Sequence, residues 1–179
     1  MENFTAEEIQ RLIPFLNLRR RNSRLARAKM TWIHYQILRR RDAFKFVLEL
    51  LMQGYLKGNP HAYVSCMEHL TTYYALIKKE LKGISLPVAD YDQVFLETEK
   101  VLKNQPKNKK SGQRKVDDFW ANFNDRQFPV ALVGLIDFEL ESMGVPEEVR
   151  VEIGYLFIAL QLFCEKRIQE AGRTFPKLG

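Results

Sequence analysis

Histidine, cysteine and clustered carboxylates have the widest chemical range in this chain of 179 residues. Cys66 and His69 stand three apart and His61 lies nearby, so one helix could bring them towards a shared metal. A structural zinc needs four ligands. No paired C-x-x-C occurs, Cys164 is isolated in an apolar run, and His34 is remote in sequence. Ordinary packing with a surface histidine is therefore expected, with no metal and no cofactor. Asp117 and Asp118 are adjacent and expected to cap a helix before Phe119 and Trp120. Asp137, Glu139 and Glu141 are spaced by two, which directs them to different sides of a helix. No Gly-rich phosphate loop, nucleophile elbow or kinase-like signature is present. The chain is not expected to be an enzyme.

The chemistry that does stand out is phosphate recognition. From Arg19 to Arg41 there are nine basic residues and no acid: Arg19, Arg20, Arg21, Arg24, Arg27, Lys29, Arg39, Arg40 and Arg41. Eight are arginine, whose planar fork matches a phosphate better than an ammonium point charge does. Trp32 and Tyr35 lie among them and offer flat apolar faces. This combination favours a nucleic-acid backbone as partner. A solvated polar face usually mixes both signs to limit self-repulsion, and this stretch does not. An acidic protein or an anionic membrane surface is the alternative partner for the same charge.

These residues must be positioned by helices. Ala26, Met30, Ile33, Ile37, Phe44, Leu48, Leu51 and Tyr55 recur at intervals of four, three, four, seven, four, three and four. That spacing predicts one long amphipathic helix from about Asn22 to Leu56, closed by Gly58, with its stripe interrupted at Arg40, where leaving the bundle or bending is expected. At 100° per residue, Arg20, Arg24, Arg27, Tyr35 and Arg39 fall opposite the stripe, with Trp32 at their flank. A ridge of guanidinium groups results, able to follow phosphates, while the aromatics can stack an unpaired base. Each phosphate neutralised adds about −0.9 to the salt slope on a duplex and about −0.7 on a single strand. No base-reading code is apparent, so binding is expected to be sequence-independent.

Elsewhere Thr5 and Glu8 form a capping-box signature before Pro14. Asn59-Pro60 predicts a helix to about Lys82, with Gly83 as its cap. Leu86-Pro87 leads into another over about Val88 to Lys103. Asp117 to Phe123 reads as a short helix. Pro129 lies in the first turn of one that runs to about Met143 before Gly144, and Pro146-Glu147-Glu148 opens the last, closed by Gly172. Ile153 to Cys164 holds ten apolar residues in twelve, too short to cross a bilayer and suited to a buried core helix. The aromatic cluster Phe119, Trp120, Phe123 and Phe128 is expected to be core. The fold class is all-α: a single helical domain, a bundle of five to seven helices centred on the last, with one long basic helix.

Charge divides the chain. The formal charge is +6, but residues 1–58 carry +7, 59–99 carry −3, 100–115 carry +7 and 116–179 carry −5. The segment 104–115 has no apolar residue and holds Lys107, Lys109, Lys110, Arg114 and Lys115, a flexible basic loop that could touch nucleic acid or serve as a solubilising linker. The acidic last third could face other protein subunits or copies of the chain itself. The beginning Met1-Glu2-Asn3 has no secretory pattern and two cysteines make no disulfide framework, so a cytoplasmic setting is expected.

A small, basic, all-helical chain with the arginine stretch Arg19 to Arg41, the loop Lys107 to Lys115 and no catalytic motif resembles the small helical subunits of CRISPR effector (Cascade-type) ribonucleoprotein complexes. The likeness covers the whole chain in architecture and charge, without a matched motif. Viral and phage helical RNA-binding proteins share the same traits. The resemblance implies a non-enzymatic role in antiviral defence: holding a displaced strand or a guide–target duplex by its backbone, inside a larger assembly.

Overall fold

The apolar stripe that begins at Ala26 is shared between two helices and a π turn instead of one long helix. In the computed structural model, residues 24–103 and 127–176 are described, with side chains from Thr31 and from Pro129 onward. Helix α1 spans Arg24–Arg39 and α2 spans Ala43–Leu50, continued by a π-helical turn over Leu51–Tyr55. Between α1 and α2, Asp42 has extended backbone (φ −143°, ψ −174°) and its carboxylate accepts from the Phe44 N–H at 3.2 Å. An aspartate in this position satisfies a donor that a new helix leaves open, so the chain starts a second helix and does not continue the first. The predicted helix from Asn22 to Leu56 is thereby corrected to a bent pair. Its apolar phase survives because Ile37 and Phe44 are seven residues apart, close to two turns. Ile33, Ile37, Phe44, Leu48 and Leu51 are all buried.

Helix α3 spans Pro60–Ile77. As its sequence requires, Asn59 caps it by accepting from Ala62 N–H at 3.1 Å, and Pro60 opens the first turn. It stops at Ile77, short of the predicted Lys82, and turns lead to Gly83 at φ +78°. The Arg173 guanidinium donates to the Glu80 and Lys82 carbonyls at 2.5 and 2.7 Å, which supplies partners for carbonyls outside the helix. Helix α4 covers Val88–Lys103, α5 Gln127–Ser142 and α6 Glu147–Glu170. Among the described residues the fold is six helices without a strand.

The centre is α6. Its residues from Ile153 to Glu165, Tyr155 excepted, are buried, and it packs on α4, α5 and α2. The Tyr91 hydroxyl of α4 donates to the Leu156 carbonyl at 3.1 Å, while its ring meets Phe46, Phe95 and Phe163. Helix α1 lies at the margin and packs on α3 and α2. Its grip is apolar: fully burying Ile33 and Ile37 contributes about 1.5–3 kcal/mol each. Among the described residues no helix is long and apolar enough to cross a membrane. The Thr5–Glu8 capping box, the basic loop 104–115, the Asp117–Phe123 helix and the side chains of Phe119, Trp120, Phe123 and Phe128 lie outside the described residues.

Candidate nucleic-acid interface

Helical phase sets which α1 side chains can meet a partner. Ile33 and Ile37 fix the inward side. On the other side Trp32 is 58% exposed and Tyr35 46%, with their ring centroids 5.8 Å apart. The Arg39 guanidinium lies over the Tyr35 ring, 5.3 Å from its centroid, a cation–π arrangement. Leu38 is also exposed beside them. Two turns of α1 therefore present tryptophan, tyrosine and arginine as neighbours. Burying such rings against solvent would be favourable, so their exposure is a cost that the isolated bundle leaves unrecovered.

The structure separates the predicted basic residues. Arg39 is exposed and on the ridge, with Tyr35 its ring partner. Arg41 is exposed in the corner between α1 and α2 and has no ion-pair partner among the described residues. Arg40 is drawn inward. Its Nε pairs with the Asp42 carboxylate, its Nη1 donates to the Tyr74 hydroxyl at 3.0 Å, and its guanidinium lies 5.3 Å from the Tyr74 ring centroid. The side chain retains 26% exposure. Arg40, which interrupts the apolar stripe, thus stands apart from the ridge: the phase of α1 aims it at α3, and Asp42 holds it there. Arg24, Arg27 and Lys29 belong to the α1 backbone, but their side chains lie outside the described residues. So do Arg19, Arg20, Arg21, Lys107, Lys109, Lys110, Arg114 and Lys115.

A second polar cluster joins α3 to α5. Glu139 Oε2 takes a 2.5 Å hydrogen bond from the Ser65 hydroxyl and lies 3.0 Å from His69 Nε2. His69 is fully buried in this cluster, whereas His61 is exposed. Burial, and then the charge of Glu139, push the adjacent Cys66 thiol up to about 12. A thiol so raised is protonated at neutral pH and is a poor nucleophile. The carboxylate sits between the serine and the histidine, so the histidine is not placed to activate the hydroxyl. The cluster fastens two helices. Asp137 and Glu141, four apart, instead share Arg150 at 2.8 and 3.5 Å. His34 carries a buried Nδ1 without a hydrogen-bond partner among the described residues, and burial lowers its pKa. Among the described residues no three His, Cys, Asp or Glu side chains are grouped to hold a metal ion.

The sequence reasoning missed the role of Asp42 and the pairing of His69 with Glu139. The first had a signal, an N-cap residue directly after three arginines. The second joins residues seventy positions apart, and no local pattern reports it. No protein-family model, curated protein or solved structure matches the chain.

Proposed function

We propose that this protein binds the backbone of nucleic acid through α1, without base-sequence preference, as a non-enzymatic helical subunit of a cytoplasmic ribonucleoprotein, of which a CRISPR effector complex is the example that its sequence resembles. The observation that carries this reading is the exposed Trp32–Tyr35–Arg39 array on a helix free of acids. Arginine supplies attraction to phosphate, and the rings supply stacking surfaces that accept any base. The acidic surface of α5 and α6, where Asp137, Glu141, Glu147 and Glu148 lie, is left to protein neighbours or to copies of the chain.

Fluorescence anisotropy with labelled random-sequence RNA and DNA, single- and double-stranded, at two salt concentrations tests the proposal. Wild type is expected to bind with a negative salt slope. The double variant Trp32→Ala and Tyr35→Ala should lose roughly ten-fold or more in affinity for single strands, at about 1–3 kcal/mol per stacked base. Failure of wild type to bind any of these probes at low salt rejects the proposal and favours an adaptor whose basic helix docks on an acidic protein or an anionic membrane.

A further inference from the structure

We propose that the corner between α1 and α2, Arg39 to Arg41, is a preformed seat for one backbone phosphate, with Arg40 as its fixed ligand. The inference rests on the nucleic-acid reading above and adds where a phosphate sits and what holds its ligand. Three consecutive arginines occupy the corner, and only one acid, Asp42, is in contact with them. Asp42 is itself buried. One of its oxygens caps α2 and the other pairs with Arg40, so both are committed and neither faces an incoming anion.

The guanidinium of Arg40 has three nitrogens. Nε is taken by Asp42 and Nη1 by the Tyr74 hydroxyl. Nη2 has no partner among the described residues, and the side chain is open to solvent by about a quarter. The position of this group is fixed twice over, by the ion pair and by the Tyr74 ring below it. Tyr74 is in turn packed edge-on by Phe44 at 5.1 Å. The Ala43 N–H donates to the Leu86 carbonyl at 3.0 Å, which ties the corner backbone to the α3–α4 connection. A donor so immobilised loses little conformational entropy when an anion arrives, unlike a free surface arginine.

Arg39 and Arg41 flank this donor, both exposed and both without an acidic partner among the described residues. They leave the corner net positive after Asp42 has neutralised one charge. Arg39 also reaches back over Tyr35, so a phosphate in the seat places the neighbouring nucleotide beside the exposed rings of α1. Tyr74 and Asp42 are positioning residues here. They hold Arg40 and do not touch the ligand.

The experiment uses the full chain and a fluorescein-labelled single-stranded DNA 20-mer of random sequence, titrated across a salt series. Arg39→Gln and Arg41→Gln should each weaken binding and together flatten the salt slope by about 0.7, the value for one phosphate on a single strand. Arg40→Lys keeps the charge but loses the fork. It should weaken binding roughly ten-fold, the scale of one charge-assisted hydrogen bond, with the salt slope unchanged. Tyr74→Phe removes only the hydroxyl that holds Nη1. It should lower affinity a few-fold in the same slope-preserving way, with the circular-dichroism spectrum unchanged as the check on folding.

Lack of wild-type binding rejects the functional reading itself. Wild-type binding that is unaltered in affinity and slope by Arg39→Gln with Arg41→Gln rejects the seat and leaves α1 binding intact. Arg40→Lys and Tyr74→Phe binding as tightly as wild type rejects Arg40 as a fixed ligand.

Discussion

Replacing Asp42 tests the bend that sets α1 apart from the rest of the bundle. Its carboxylate does two things: it accepts from Phe44 N–H at 3.2 Å as the N-cap of α2, and it neutralises the partly buried Arg40. Loss of an N-cap side chain costs about 1 kcal/mol. Leaving Arg40 at Tyr74 without its counter-ion adds about 1–3 kcal/mol, the cost of an unsatisfied, partly desolvated charged group. Asp42→Ala should therefore destabilise the fold by about 2–4 kcal/mol. Asp42→Asn keeps an oxygen for the cap and removes only the charge, so it should cost about 1–2 kcal/mol. In the Arg40→Leu background the penalty of Asp42→Ala should shrink to the capping share, about 1 kcal/mol. Urea unfolding followed by circular dichroism, with the m-value compared across the set, measures wild type, the three single variants and the double variant. An Asp42→Asn variant as stable as wild type, or an Asp42→Ala loss unaffected by Arg40→Leu, would show that the ion pair does not hold the corner.

Two neighbouring glycines should respond with opposite signs. Gly54 has open space where a Cβ would go and an ordinary φ, so Gly54→Ala should stabilise by about 0.5–1 kcal/mol, whereas Gly58 at φ +91° should be destabilised by Gly58→Ala by a similar or larger amount; thermal melts read both. Glu139→Ala leaves buried Ser65 and His69 without their shared acceptor and should cost about 1–3 kcal/mol in urea unfolding, more than Glu139→Gln, which retains an oxygen. Cys66 is held protonated up to about 12 in the fold against an ordinary value of 9.0, so the unfolded chain loses the proton first. The resulting stability is full below about pH 9 and lost as pH rises towards 12, by about 1.4 kcal/mol per pH unit for this thiol. Urea midpoints from pH 8 to 11 should fall only above pH 9, and by less in Cys66→Ala than in wild type.

Much of the fold was legible because helices announce their ends. Asn59-Pro60, Leu86-Pro87 and Pro146 mark starts that the structure keeps, and Gly83, Gly144 and Gly172 all have positive φ where a helix or its following turns must reverse. The apolar run from Ile153 to Cys164 is buried at the centre. What escaped was that the interruption at Arg40 is a full break with a second helix start. The apolar spacing of seven residues between Ile37 and Phe44 is the same for a straight helix and for two helices in phase, so periodicity alone could not separate them. Capping could, since Asp42 is the first acid after the arginine stretch.

That one acid also changes how the charge should be read. A count over Arg19 to Arg41 treats every arginine as equally available, but availability depends on what each guanidinium already touches. Arg39 touches a ring that is itself exposed, and Arg41 touches no acid among the described residues. Arg40 is bound by Asp42 and Tyr74 from the inside. The pairing that removes Arg40 from the open ridge also immobilises it between two exposed arginines without an acidic partner among the described residues, and a fixed donor loses less entropy on meeting a phosphate than an unheld one. Charge reversal at Arg41 and at Arg40 should thus fail in different ways. Arg41→Glu should weaken nucleic-acid binding with the fold intact. Arg40→Glu places a carboxylate against Asp42 and should destabilise the α1–α2 corner as well. Parallel anisotropy titrations and urea melts distinguish the two, and equal stability of both variants would mean that Arg40 is only another surface charge.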